Sequence, residues 1–197
     1  MQPSEALARA ARQAGGESSD FDLNPGFALP EGTALRPAGV LVACSAAPEG
    51  PRLWLTRRSS RLKHHPGQIA FPGGKVDPGD DGPVGAALRE AEEEVGLPRG
   101  AVEVLGRLPP HETVTGFSVT PVLGWIGGAF APVPEPGEVD EVFTVPLAHV
   151  LERENYVIES RLWRGQRRFY YAVPYGPYYI WGATARILRG LAERLAA

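Results

Sequence analysis

Cysteine is almost absent from this 197-residue chain; Cys44 is the only one. A single thiol closes no intrachain disulfide, so no covalent framework supports the fold, and a reducing cytoplasm is the expected compartment. It lies in the apolar run Val40-Leu41-Val42-Ala43-Cys44, where a buried, unreactive thiol is expected. Long apolar runs are missing too. The richest stretch, residues 121–134, is broken by Gly124, Gly127, Gly128 and Pro132 and falls short of the ~20 residues of a membrane-spanning helix. Met1-Gln2-Pro3-Ser4-Glu5 has no basic cluster and no apolar core behind it, so no signal peptide is expected. Nor is there an excess of positive charge. Lys and Arg number 20 against 23 Asp and Glu, a formal charge of -3, which argues against a partner such as nucleic acid. No membrane partner is expected either. At 43% hydrophobic and 22% charged residues, the chain has the composition of one globular domain with a full core.

Punctuation by glycine and proline divides that domain. Residues 4–13, rich in Ala and Arg, predict a short helix, and residues 15–37, rich in Gly, Ser, Pro and Asp, an irregular lead-in. Residues 1–37 are thus set apart from a main domain over 38–197. Strands are predicted at 39–45 and 52–57, joined by the Pro48-Glu49-Gly50-Pro51 turn, then at 69–71, 102–107, 118–126 and 141–145. Residues 57–68 read as a basic loop. Residues 156–163 and 168–173 predict a hairpin around Arg164-Gly165. Helices are predicted at 83–95, 147–152 and 179–195, the first stopped by Gly96 and Pro98. Strands interleaved with helices, without a repeat, give a mixed α/β domain.

The helix over 83–95 carries an unusual charge. Glu90, Glu92, Glu93 and Glu94 crowd one turn, and Arg89 is the only basic residue in it, so little relief by i,i+4 pairing is expected. On a wheel of about 100° per residue, Glu90, Glu93 and Glu94 share one face. Val84, Ala87, Leu88, Ala91 and Val95 form a separate apolar stripe, and Glu92 points to solvent. Three carboxylates on one face, close behind the turn Phe71-Pro72-Gly73-Gly74, suggest a site for a divalent cation.

These residues resemble the Nudix box, G-x5-E-x7-R-E-U-x-E-E-x-G-U, where U is a bulky apolar residue. Arg89-Glu90-Ala91-Glu92-Glu93-Glu94-Val95-Gly96-Leu97 gives its second half, with alanine at the first bulky position. Gly74 supplies the first glycine. Asp80 stands where glutamate is usual, one residue farther from Arg89 than the pattern has it. Upstream, residues 54–74 are similar to the signature of the coenzyme A pyrophosphatase branch, L-L-T-x-R-S-x3-R-x3-G-x3-F-P-G-G. Thr56, Arg58, Ser59, Gly67 and Phe71-Pro72-Gly73-Gly74 match it, while Trp54 replaces a leucine and Lys63 an arginine. The longer spacing after Asp80 is itself a tendency of that branch. Glu138-Val139-Asp140-Glu141-Val142-Phe143 and residues 180–186 resemble it too.

The resemblance implies a Nudix-type α/β/α sandwich with a mixed β-sheet. It implies a metal-dependent hydrolase of a diphosphate, that of coenzyme A or a derivative, with another nucleoside diphosphate derivative such as ADP-ribose as the alternative substrate. A non-catalytic nucleotide-binding module on the same fold would be expected to lose a helix carboxylate, and none is missing. Mg²⁺ or Mn²⁺ would be held by Glu90, Glu94 and Glu93, with the Gly74 carbonyl close by. Arg89 would orient a carboxylate. Glu93 would hold a second cation or take a proton from water, and Glu138 or Glu141 would offer a further carboxylate. Arg58, Ser59, Lys63 and Gly67 would bind substrate. His64 and His65 lack a third partner at zinc spacing. The tyrosines between residues 170 and 179 read mainly as core. The partner expected is a small molecule, with the protein a monomer or homodimer.

Overall fold

The fold is built around β2 (Arg36–Ser45). The computed structural model describes residues 2–163 and 165–196. Alternate residues of β2 enter different cores: Leu41 and Ala43 one, Val42 and Cys44 the other. A strand buried on both faces reads as a continuous apolar run, as this one does. Burial pushes the Cys44 thiol up to about 12, which makes it inert at neutral pH.

Parallel to β2 lies β8 (Phe117–Ile126); antiparallel to it run β3 (Arg52–Arg58) and β5 (Gly73–Lys75). Outward on one side, β3 pairs with β4 (Ile69–Ala70) and β9 (Val139–Pro146). On the other side, β8 pairs with β6 (Val102–Arg107) and β7 (His111–Glu112), and β7 with β1 (Ser18–Ser19). The result is a nine-stranded mixed sheet. Helix α2 (Gly82–Val95) covers one face through Ala87, Ala91 and Val95. The opposite face is covered by α1 (Pro3–Arg12), α3 (Leu147–Leu151) and α4 (Ala183–Ala196), which bury Leu7, Val150, Leu188 and Leu191. Each such leucine contributes roughly 1.5–3 kcal/mol. The fold is therefore the α/β/α sandwich expected. A separate hairpin, β10 (Val157–Trp163) with β11 (Gln166–Ala172), forms a two-stranded sheet.

Two expectations need correction. The last helix begins at Ala183, not at 179, because Gly182 takes φ +66° and residues 178–182 bond instead to the end of β11 and the turn after it. There Val173 N–H donates to Ile180 O and Gly182 N–H to Tyr171 O. The turn read at Gly73-Gly74 is a short strand, β5, whose pairing with β2 outweighs the poor strand propensity of glycine. The lead-in is irregular but firmly fastened. Asn24 bonds both N–H and C=O of Phe169, and His111 bonds Ser18 Oγ (2.9 Å) and Asp20 Oδ1 (3.2 Å). Burial would raise the Asp20 carboxyl, but the His111 bond and charge and the Val114 N–H outweigh it and hold the group below its ordinary value. Of the expected hairpin turn, Arg164 lies outside the described residues, as do Met1 and Ala197 at the bounds of 1–37 and 38–197.

Candidate metal centre on helix α2

Helix α2 lies close against the sheet because its inner face is made of small residues. A Cβ at Gly39 of β2 would overlap the Pro83 carbonyl, so glycine there lets the first turn of α2 touch the strand. At the other end, Gly96 in the left-handed region (φ +70°) closes the helix, its N–H returning to Ala91 and Glu92 carbonyls. The stripe read from the wheel is the buried one, and Glu94 joins it: its residue is 5% exposed.

Glu94 enters a polar recess. Its Oε2 accepts from Gly73 N–H at 3.1 Å. Glu90 lies one turn back against Gly74, where a Cβ would overlap its carboxylate. The strand β5 therefore needs glycine for the carboxylate to sit where it does. A third acid arrives from the loop before β9. Among the described residues, Glu90, Glu94 and Glu138 each offer a carboxylate oxygen, all within 4.8 Å of one another. Backbone bonds place Glu138: Glu135 N–H donates to Glu94 O (2.9 Å), Glu138 N–H to Glu135 O (3.0 Å), and Ser59 N–H to Glu138 O (2.7 Å). Burial, aided by the charges of Glu90 and Glu138, pushes Glu94 up to about 7, against the Gly73 N–H and Arg58. Burial likewise raises Glu90, partly offset by Arg89. A divalent cation relieves this crowding, and the oxygen-only donor set suits a hard ion.

Arg89 organises the outer side. Its guanidinium forks onto Asp80, Nε to Oδ1 at 2.9 Å and Nη2 to Oδ2 at 3.0 Å. The same side chain reaches Glu90 Oε1, Glu93 Oε2 (both 3.0 Å) and Lys75 O (3.2 Å). Asp80 thus serves as the anchor of Arg89, and that fork holds its carboxyl below the ordinary range. The expected lack of relief among the glutamates is corrected here. Arg89 and Glu93 form an i,i+4 pair, and Glu92 finds Arg99 at 3.0 Å from beyond the helix end.

The remaining expected site residues scatter. Glu93 has a side chain 58% exposed and faces Arg89 on the solvent side of the trio. Arg58 stands at the root of the basic loop, near enough to lower Glu94, with its buried Nε lacking a hydrogen-bond partner. Ser59 is fully buried behind the site, holding the Glu138 backbone. Gly67 takes φ +69° and returns its N–H to Arg58 O, closing the loop that exposes Lys63. Within that loop His65 adopts φ +53°, the one non-glycine left-handed residue among those described. Of the two acids expected to offer a further carboxylate, Glu138 is the one that joins Glu90 and Glu94. Glu141, its companion there, is tied to Tyr178 Oη (2.7 Å) and Arg57 (3.3 Å).

The chain has relatives among known proteins. Residues 35–164 match the model of the NUDIX domain. The chain is 46% identical over 160 residues to a protein of Escherichia coli (strain K12) called "Uncharacterized Nudix hydrolase NudL", covering 81% of this chain and 83% of that one. The same figures hold for the protein of that name from Shigella boydii serotype 4 (strain Sb227). The crystal structure of the Nudix hydrolase RenU from M. smegmatis superposes with a TM-score of 0.50 at 24% identity, over 59% of this chain and 74% of that one. That last likeness concerns the fold.

Proposed function

We propose, since this chain belongs to the Nudix hydrolase family, that it cleaves the diphosphate of coenzyme A or a derivative, giving 4'-phosphopantetheine and 3',5'-ADP. Family membership makes it a hydrolase of phosphoric anhydrides. The finer assignment of substrate is carried by Arg58, whose unpartnered buried Nε stands beside the carboxylate trio. It opens a loop that holds Arg61, Lys63, His64 and His65 as well. Coenzyme A presents a diphosphate and a ribose 3'-phosphate, and guanidinium forks suit phosphate oxygens. In this reading Arg58 and Lys63 face the substrate, Gly67 shapes the loop, and Ser59 positions Glu138.

Glu90 and Glu94, with Glu138, would hold Mg²⁺ or Mn²⁺, and the Gly74 carbonyl would add an oxygen. When bound, the cation neutralises charge on the phosphate oxygens and draws the attacking water toward its conjugate base. Arg89 keeps Glu90 and Glu93 oriented. Glu93, on the solvent side, takes the proton of the attacking water or holds a second cation. The water oxygen bonds to phosphorus as the bridging P–O bond breaks, so the protein's work is positioning and electrostatic stabilisation. A reducing cytoplasm is the compartment we assign, from the buried Cys44 thiol; no described helix is long and apolar enough to cross a membrane.

Product release from coenzyme A with Mg²⁺ or Mn²⁺ tests the assignment. Slow or absent turnover beside rapid cleavage of ADP-ribose or a nucleoside triphosphate would move the substrate to the alternative class. Cation binding has its own test. Glu94 in the metal-free fold has its pKa raised toward about 7, so its contribution to stability is full below its unfolded value and is lost as pH rises toward 7. A cation needs the ionised form and must expel a proton at low pH. The rise in Tm on adding Mg²⁺ or Mn²⁺ should therefore be larger at about pH 8 than at about pH 5.5. An equal or larger rise at the lower pH would remove Glu94 from the cation site.

A further inference from the structure

Strand β10 is an open edge. It pairs with β11 on one side, and among the described residues no backbone bond reaches its other side. The direction of its free groups follows from its neighbour. Phe169 of β11 turns both its N–H and C=O away from β10, to Asn24. Tyr171 likewise sends its C=O to Gly182. Ser160 and Ile158, the residues opposite those two, are therefore non-bonded pairs of the hairpin. Alternation makes Leu162 a third. Ile158, Ser160 and Leu162 thus point N–H and C=O outward into solvent.

One face of this hairpin edge is largely apolar and exposed. Ile158 is 56% exposed, Leu162 72% and Phe169, opposite Ser160, 44%. These three share one face of the hairpin, with Glu159 and Arg161 on the other. The order Ile158-Glu159-Ser160-Arg161-Leu162 is complementary to its own reverse. We propose that two copies of this chain pair antiparallel through β10 about a two-fold axis at Ser160, making a four-stranded sheet across the interface. Ser160 then meets the partner's Ser160, and Ile158 meets the partner's Leu162, both in hydrogen-bonded positions that use the outward groups. Glu159 meets the partner's Arg161 on the opposite face, twice by symmetry. A shift by one residue would set charge against aliphatic side chains and reverse the faces, so the register is specified. Arg161 is already fixed for this, its guanidinium 4.3 Å from the Trp181 ring centroid.

Sedimentation velocity on the full chain, from micromolar to near-millimolar concentration, tests the pairing. Wild type should show a reversible monomer–dimer equilibrium. Ser160→Pro removes an N–H that the monomer does not use and an exposed hydroxyl that accepts from Arg167 Nη1 (3.0 Å), so it should lower Tm little and weaken the dimer about tenfold or more. Glu159→Arg and Arg161→Glu each set like charges opposite one another and should weaken it similarly, whereas an equimolar mixture of the two restores a dimer of wild-type strength. The mixture decides the matter if Ser160→Pro fails to fold. A wild type that stays monomeric throughout overturns the proposal. So does a dimer that is indifferent to all three substitutions.

Discussion

Glu94→Gln is expected to lower kcat by about 10²–10³-fold or more, the scale on which a preorganised charge is lost from an active site. The fold should survive, for reasons that can be read atom by atom. Glutamine keeps an oxygen for the Gly73 N–H, now bonded at 3.1 Å. Its new amide hydrogens face Glu90 and Glu138, whose oxygens lie within 4.8 Å. Burying a neutral group also removes the cost that raises the Glu94 carboxyl. Without cation, the variant should melt no lower than wild type at about pH 8, where the wild-type carboxylate is forced to ionise. With cation, wild type gains stability and the variant gains little. This pair of readings separates loss of the ion from loss of the fold. Glu92→Gln is the control, since that side chain faces solvent and Arg99. Undiminished turnover by Glu94→Gln would end the metal assignment.

The helix behind this prediction was legible because period and chemistry agree. Residues spaced by 3.6 place Ala87, Ala91 and Val95 inward, and the same spacing leaves Glu90 and Glu94 in line at one end of that stripe. Strands β2, β3 and β8 were legible as β-branched and apolar runs bounded by turns. What escaped depends on partners distant in sequence. β5 is glycine-rich and becomes a strand only because β2 accepts it. β1 and β7 are two residues each; β1 exists through β7, and β7 through β8. The relief of Glu92 comes from Arg99, past a helix end where periodicity no longer applies. Asp80 is legible as an acid but not as the anchor of Arg89 until the loop from Lys75 to Asp80 closes over the guanidinium.

Glu138 is the sharpest such case, and it carries the second prediction. The segment Glu135-Pro136-Gly137-Glu138-Val139-Asp140-Glu141 offers four acids, and sequence pattern ranks Glu138 with Glu141. Their surroundings separate them. Glu138 has its backbone fixed to Ser59 and, through Glu135, to α2, and its carboxylate converges with Glu90 and Glu94. Glu141 spends both oxygens elsewhere, on Tyr178 and Arg57. The Arg57–Glu141 pair is half exposed and worth only about 0–1 kcal/mol. Glutamine at 141 still accepts from Tyr178 Oη, so Glu141→Gln should alter Tm and kcat little. Glu138→Gln should cost about 10–100-fold more in kcat than Glu141→Gln, the range typical when the support of a metal site is cut. It should also reduce the Tm gained from Mg²⁺ or Mn²⁺ without lowering the Tm of the metal-free protein, because Glu138 is exposed and its removal lightens the charge on Glu94. Equal losses from the two substitutions would show that the loop acts through its backbone and not through the Glu138 carboxylate.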